Sequence, residues 1–260
     1  KIIKSIEKAG SEGSDLVVFP ELAICGYPPY DLLFNSSFVK QAMEGIEKVA
    51  SHCIGITAIV GGVDVNNGDG KGLFNAAFIL QNGKIEAVYH KALLPTYDVF
   101  DEARYFEAAY KPLVFELKGQ RIAVTICEDL WTPGLDVHPA PGKPRYQYDI
   151  IAANKELKPD LMINIAASPY SVFQHKYRYE LLERVQKELN CPLYYLNQVG
   201  AHTDLVFDGG SVILHSEKQK FYLPFFAEQD GTVEHNSSDS NNLIMNDVES
   251  LYHALKQGIN

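Results

Sequence analysis

The chain has 260 residues, 46% of them hydrophobic, enough material for a substantial core in one large domain or two small ones. A net charge of −10, from 23 basic and 33 acidic residues with no basic stripe, argues against non-specific nucleic-acid binding. No apolar run approaches the ~18 residues of a membrane span and no signal-peptide pattern opens the chain, so a cytoplasmic location is expected.

In chain order, KIIKSIEKA (1–9) places Ile2, Ile3 and Ile6 at helical spacing and predicts a helix that stops at Gly10. DLVVFP (15–20) reads as a short buried strand ending at Pro20. A loop rich in Gly and Pro leads to a helix over 38–51 and a strand at 54–63. NAAFIL and KIEAVYH flank Asn82-Gly83, a strong hairpin signal. In the second half RIAVTIC (121–127) and LMINIAAS (161–168) read as strands separated by the loop WTPGLDVHPAPGKPR. A helix over 176–189 follows, then the strands PLYYLNQVG and GSVILHS. Short apolar strands interleaved with helices mean a layered α/β domain. The polar, acidic stretch AEQDGTVEHNSSDSNN reads as a linker, and DVESLYHALKQGI as a terminal helix.

Cys25, Cys53, Cys127 and Cys191 form no CxxC pair and have no HxxxH nearby, a spacing that suits neither zinc nor a disulfide framework. No metal site is expected. The absence of a GxSxG elbow argues against a serine triad.

Ligands of open α/β sheets bind beyond the carboxyl ends of the strands. That rule selects Glu21 after DLVVFP, Lys91 after KIEAVYH and Cys127 at the end of RIAVTI. Taken singly, a glutamate or lysine after a strand is ordinarily a solvated loop residue, and a cysteine at a strand end an inert small hydrophobe. Together they supply a base, a cation and a nucleophile. The chemistry that needs this trio is attack on an electrophilic carbon such as an amide carbonyl. The thiolate attacks, the carboxylate takes its proton and later activates water, and the ammonium stabilises the oxyanion.

FPELAICGYPPYDLL (19–33), HKALLPTYDVFDEARYF (90–106), ICEDLW (126–131) and YLNQVGAHTDLVFDGGS (195–211) resemble the signature blocks of the nitrilase superfamily of carbon–nitrogen hydrolases. More narrowly they are similar to the glutamine-hydrolysing domains of glutamine-dependent NAD⁺ synthetases. The resemblance implies a four-layer αββα sandwich that pairs across a two-fold axis, as a homodimer or higher homo-oligomer. It implies Glu21 as general base, Lys91 as oxyanion stabiliser and Cys127 as nucleophile, the three residues chosen above. It also implies a glutamine pocket lined by Tyr27, Tyr97, Glu128, Trp131 and Ser168, with Glu128 on the substrate's ammonium. A basic residue, Lys176 or preferably the bidentate Arg178, would hold the α-carboxylate. Asp208-Gly209-Gly210 lacks the lysine and helix of a phosphate loop and reads as a strand-entry turn, and DEAR (101–104) as an ion-paired surface segment.

Two departures shape the expected organisation. The family's opening strand, about 20 residues with its loop, is expected to be missing. No ATP-binding SGGxDS-like segment is present, which implies a glutaminase domain at 1–226, a linker at 227–245, and a helix at 246–260 leading toward an absent synthetase domain. Ammonia from glutamine would serve ATP-dependent amidation of nicotinic acid adenine dinucleotide in that domain. No cofactor is expected for the glutamine step, with ATP and Mg²⁺ confined to the synthetase step. The competing readings are a free-standing amidase or carbamoylase and a catalytically inert assembly module.

Overall fold

The computed structural model describes residues 1–134, 144–172, 174–216, 219–234 and 246–259. Residues 135–143 of the loop after Trp131, and residues 235–245 of the expected linker, lie outside the described residues. The chain divides into two compact units, residues 1–113 and 114–260. No helix among the described residues is long and apolar enough to cross a membrane.

In the first unit the described strands form one sheet in the order β1-β2-β3-β4. β1 (Leu16–Val18) runs parallel to β2 (Thr57–Val65), while β3 (Leu73–Gln81) and β4 (Lys84–His90) add as antiparallel hairpins. Asn82 and Gly83 both adopt positive φ, 52° and 77°, the geometry of the two-residue turn their sequence signals. Helices α1 (Ile2–Ser11) and α2 (Ser36–Ala50) cover one face. Ile6, Ile46, Val49 and Ala50 pack there on Ala58, Val60, Ala76, Phe78 and Leu80. The side chain of Asn35 caps α2 by accepting the Ser37 amide at 2.9 Å. α1 runs one residue past Gly10, which stays helical; Gly13, at φ 83°, supplies the left-handed exit instead.

The second unit carries a larger sheet in the order β12-β11-β8-β7-β6-β5. β6 (Gln120–Ile126), β7 (Leu161–Ala166) and β8 (Leu193–Asn197) are parallel, and β11 (Val212–Ser216) and β12 (Gln219–Tyr222) continue antiparallel. β5 (Leu113–Leu117) is joined to β6 by Lys118-Gly119, again both at positive φ. α3 (Ile150–Glu156) and α4 (Gln174–Leu189) supply Ile151, Leu181, Leu182, Val185 and Leu189 to a core with Ala123, Met162, Leu193, Tyr195 and Val212. The stretch read as one strand at PLYYLNQVG is two, β8 and β9 (Val199–His202), and β9 pairs with β10 (Leu205–Asp208) in a separate hairpin. α5 (Asp247–Ile259) packs in this unit, with Tyr170 Oη 3.0 Å from Ser250 Oγ.

Candidate active site

Glu21 lies three residues beyond β1, because Pro20 has no amide to continue the ladder and the chain turns sharply, with Leu22 at φ 48°. This turn presses on β2 at Gly61. A Cβ there would stand 2.3 Å from the Pro20 carbonyl oxygen and 2.4 Å from the Leu22 nitrogen, so only glycine lets the Glu21 backbone come this close. Lys91 follows β4 directly, with its amide bonded to the Asn75 carbonyl at 2.9 Å.

Both side chains are fully buried, and Lys91 Nζ donates to Glu21 Oε1 at 2.7 Å. One carboxylate is not the whole of the lysine's environment. Lys91 Nζ also donates to both oxygens of Glu102, at 2.8 and 2.9 Å. Asn75 Nδ2 ties the two acids together, 2.7 Å from Glu21 Oε1 and 3.2 Å from Glu102 Oε2. Tyr27 donates its hydroxyl to Glu102 Oε1 at 2.8 Å. Burial pushes the Glu102 carboxyl up from its ordinary value, Lys91 opposes that, and Glu21 reinforces it.

Glu102 is therefore the residue the sequence reading missed. The segment DEAR does carry a surface ion pair, Arg104 to Asp31 at 3.4 Å, but Glu102 is 5% exposed and points inward from a 3₁₀ turn. The available signal was indirect, since a buried lysine beside a single carboxylate leaves donors unsatisfied.

In the second unit, Cys127 is the first residue after β6 and opens a 3₁₀ turn, Cys127–Leu130. Its φ is 43°, a left-handed conformation that a non-glycine residue adopts at a cost of ~1–3 kcal/mol. Asp129 holds the elbow, its Oδ2 accepting the Ile126 amide at 2.9 Å. Glu128 and Asp129 are 3% and 0% exposed, so neither is a solvated turn residue. Glu128 Oε1 accepts from the Tyr146 hydroxyl at 2.8 Å and from Arg145 at 3.5 Å, and the Arg145 guanidinium stands 5.8 Å from the Trp131 ring centre.

Ser168 follows β7, and its amide donates to Asn197 Oδ1 at 2.8 Å. Its hydroxyl accepts from Arg178 at 3.3 Å. Arg178 is itself buried, with Nη1 on both oxygens of Asp208 at 3.0 and 3.1 Å. Burial works against its charge, but Asp208 outweighs that and holds the guanidinium firmly protonated. Lys176 is largely exposed and pairs with Asp247 at 3.2 Å. Tyr97 is partly buried and meets Phe100 edge to face at 5.4 Å. Among the described residues no three His, Cys, Asp or Glu side chains cluster as metal ligands.

Within the first unit the structure thus brings Glu21, Lys91, Glu102 and Tyr27 together. Within the second it gathers Glu128 and Trp131 beside Cys127 in one turn, and joins Ser168 to Arg178.

The carbon–nitrogen hydrolase family profile matches residues 1–218. The glutamine-dependent NAD(+) synthetase of Synechocystis sp. is 38% identical over 272 residues, an alignment covering all of this chain and 48% of that protein. The enzyme of the same name from Thermotoga maritima is 35% identical over 237 residues, covering 90% of this chain and 38% of the relative. The chain thus spans less than half the length of these curated relatives. Among solved structures, the glutamine-dependent NAD+ synthetase from Acinetobacter baumannii superposes with a TM-score of 0.84 at 28% identity, over 99% of this chain and 47% of that one. An amidase from Nesterenkonia sp. superposes at 0.69 with 21% identity, over 86% and 78%, and shares the fold.

Proposed function

The chain belongs to the carbon–nitrogen hydrolase family, and on that premise we propose that it hydrolyses the side-chain amide of glutamine through a thioester on Cys127. The observation that carries this reading is the fully buried Lys91–Glu21 contact at 2.7 Å, at two strand ends of a chain whose curated relatives are glutamine-dependent synthetases. Removing an ammonium and a carboxylate from water costs several kcal/mol per ion, a burden that structural packing alone does not require.

In this reading Glu21, Lys91 and Cys127 act as one triad. Glu21 takes the thiol proton as sulfur attacks the amide carbon, and Lys91 stabilises the oxyanion. The C–N bond breaks, the proton held by Glu21 passes to the leaving nitrogen, and ammonia departs. Water, deprotonated by Glu21, then cleaves the γ-glutamyl thioester to release glutamate and regenerate the thiol. Glu102, braced by Tyr27, orients Lys91. Glu128 takes the substrate ammonium, while Trp131 and Tyr97 form the walls. Ser168 meets the carboxylate, with Arg178 acting through that hydroxyl because Asp208 already engages its guanidinium. Lys176, held on Asp247 at the surface, is left outside the pocket.

The ammonia serves an ATP- and Mg²⁺-dependent amidation of nicotinic acid adenine dinucleotide by a synthetase domain, in a cytoplasmic homo-oligomer; the glutamine step itself uses no cofactor. The curated relatives favour this over a free-standing amidase. The test is intact mass after exposure to a glutamine analogue bearing a diazoketone, beside ammonia release across an amide panel. One adduct on the parent chain, none on Cys127→Ala, and preference for glutamine are expected. No adduct, or preference for an amide that is not an amino acid, overturns the reading.

A further inference from the structure

Asn75 stands between the two acids of the first unit, and its carboxamide is only half used. It is fully buried on β3, paired with Val63 of β2 on one side, while its backbone carbonyl accepts the Lys91 amide at 2.9 Å on the other. Nδ2 donates to Glu21 Oε1 at 2.7 Å and to Glu102 Oε2 at 3.2 Å. Oδ1 has no hydrogen-bond partner among the described residues. Turned the other way, the amide would set that oxygen against two carboxylates, so the chemistry fixes its orientation. A buried carboxamide that leaves its acceptor stranded is held in place for its donors.

We propose that Asn75 is a positioning residue for the general base: it keeps Glu21 ionised and in place, so that the first proton this acid pair takes up as pH falls goes to Glu102. The inference rests on Glu21 acting as the base in the reading above and adds the group that secures that role. Two carboxylates against one buried ammonium leave a negative charge in excess, so the cluster is prone to bind a proton. If Glu21 bound it, the thiol would have no base. Each donor on a carboxylate stabilises the charged form, and Asn75 makes its shorter bond to Glu21.

Removing the amide affects the two acids unequally. Glu102 would keep the Tyr27 hydroxyl at 2.8 Å and both of its contacts with Lys91, at 2.8 and 2.9 Å. Glu21 Oε1 would lose the shorter of Asn75's bonds, equal in length to its contact with Lys91. The proton then shifts toward Glu21. The titratable neighbours on the flanking strands stand apart from this balance. Asp64 and His90 pair with each other at 2.7 Å, and His90 stacks on Phe74, whose side chain alternates with that of Asn75 onto the opposite face of β3.

The experiment follows kcat/KM against pH for glutamine hydrolysis in the unsubstituted chain, Asn75→Leu and Asn75→Ser, with circular dichroism to confirm the fold. Leucine keeps the volume and removes both donors; serine keeps one. The midpoint of the acid limb is expected to rise by about one pH unit in Asn75→Leu and by less in Asn75→Ser. Well below that midpoint Asn75→Leu should run about tenfold slower than its loss on the plateau accounts for. A purely structural residue would lower the plateau and leave the limb in place. A limb that stays, or moves to lower pH, in a folded variant overturns the role given to Asn75, and so does loss of the fold in both variants. Ammonia released from an uncharged amide and none from glutamine overturns the glutamine reading alone, because the limb is then read on that amide. No hydrolysis of any amide by the unsubstituted chain overturns both.

Discussion

Both carboxylate oxygens of Glu102 grip the ammonium of Lys91, at 2.8 and 2.9 Å, whereas Glu21 contributes a single oxygen at 2.7 Å. Lys91 is thus anchored mainly by the acid that is not the expected base. Glu102→Gln keeps the shape and removes the charge, leaving Lys91 to be neutralised by Glu21 alone. Glutamine hydrolysis should fall by about 100-fold or more in kcat, because a base locked onto the lysine accepts the thiol proton poorly. Steady-state ammonia release with a far-ultraviolet circular dichroism control checks this, and an active, folded variant would contradict it.

The same carboxyl carries a pH signature. Burial, opposed by Lys91 and reinforced by Glu21, raises its folded-state value. The folded chain therefore keeps this proton to higher pH than the unfolded chain does. Its contribution to stability is complete below the ordinary carboxyl range and is lost as pH rises through the folded value. Urea unfolding of the parent and Glu102→Gln across a pH series should show the parent losing ground to the variant as pH rises from that range; a parent that gains ground would refute the assignment.

Gly61→Ala tests the turn that carries Glu21. The added methyl would meet the Pro20 carbonyl oxygen at 2.3 Å and the Leu22 nitrogen at 2.4 Å, both backbone atoms that cannot swing aside. Overpacking of this kind costs typically ~1–3 kcal/mol, and the displaced segment is the one that presents Glu21, the proposed general base. Hydrolysis should fall by more than the loss of folded protein explains, measured as kcat per folded molecule at a temperature well below the unfolding midpoint.

Much of the site was legible because strands and chemistry coincide. Lys91 and Cys127 each follow a strand immediately, and their apolar runs mark those ends. Glu21 was legible through Pro20, which stops the ladder early. Glu102 was not, since a three-residue 3₁₀ turn has no periodicity and its neighbours Asp101 and Arg104 are exposed. The β9–β10 hairpin was hidden for a similar reason. The apolar stretch PLYYLNQVG runs on without a turn signal, yet Gln198, whose amide still donates to the Ala166 carbonyl of β7 at 3.0 Å, is the last contact with that sheet before β9 pairs with β10. β5 and α3 are five and seven residues long, too short to declare a period.

The four thiols should separate cleanly. Burial pushes Cys25 up to about 12 and Cys53 and Cys191 up to about 11, each disfavouring the reactive thiolate. Cys127, partly exposed as Cys25 also is, differs from it in standing on a left-handed elbow at the end of β6. Iodoacetamide at about neutral pH should add once to the native chain, at Cys127, and four times in denaturant. Peptide mass mapping that finds a second native adduct would show that another thiol is poised.

Arg178 and Asp208 should behave as one unit in stability. Each is buried, and removing either leaves the other as an uncompensated charge, a defect of ~3–5 kcal/mol. Arg178→Met and Asp208→Leu should therefore each lower stability by about that amount in urea unfolding. The double variant should be closer to the parent than the two losses summed, because no lone charge remains. Asn197 limits the damage in that double variant: its Nδ2 loses Asp208 but keeps the carbonyls of Gly209 at 3.0 Å and Ser168 at 3.2 Å. Activity should not recover in step with stability, since Ser168 Oγ has lost its Arg178 donor. Strict additivity of the two single losses would mean that the charges are independently solvated, and that Arg178 is not the brace for Ser168.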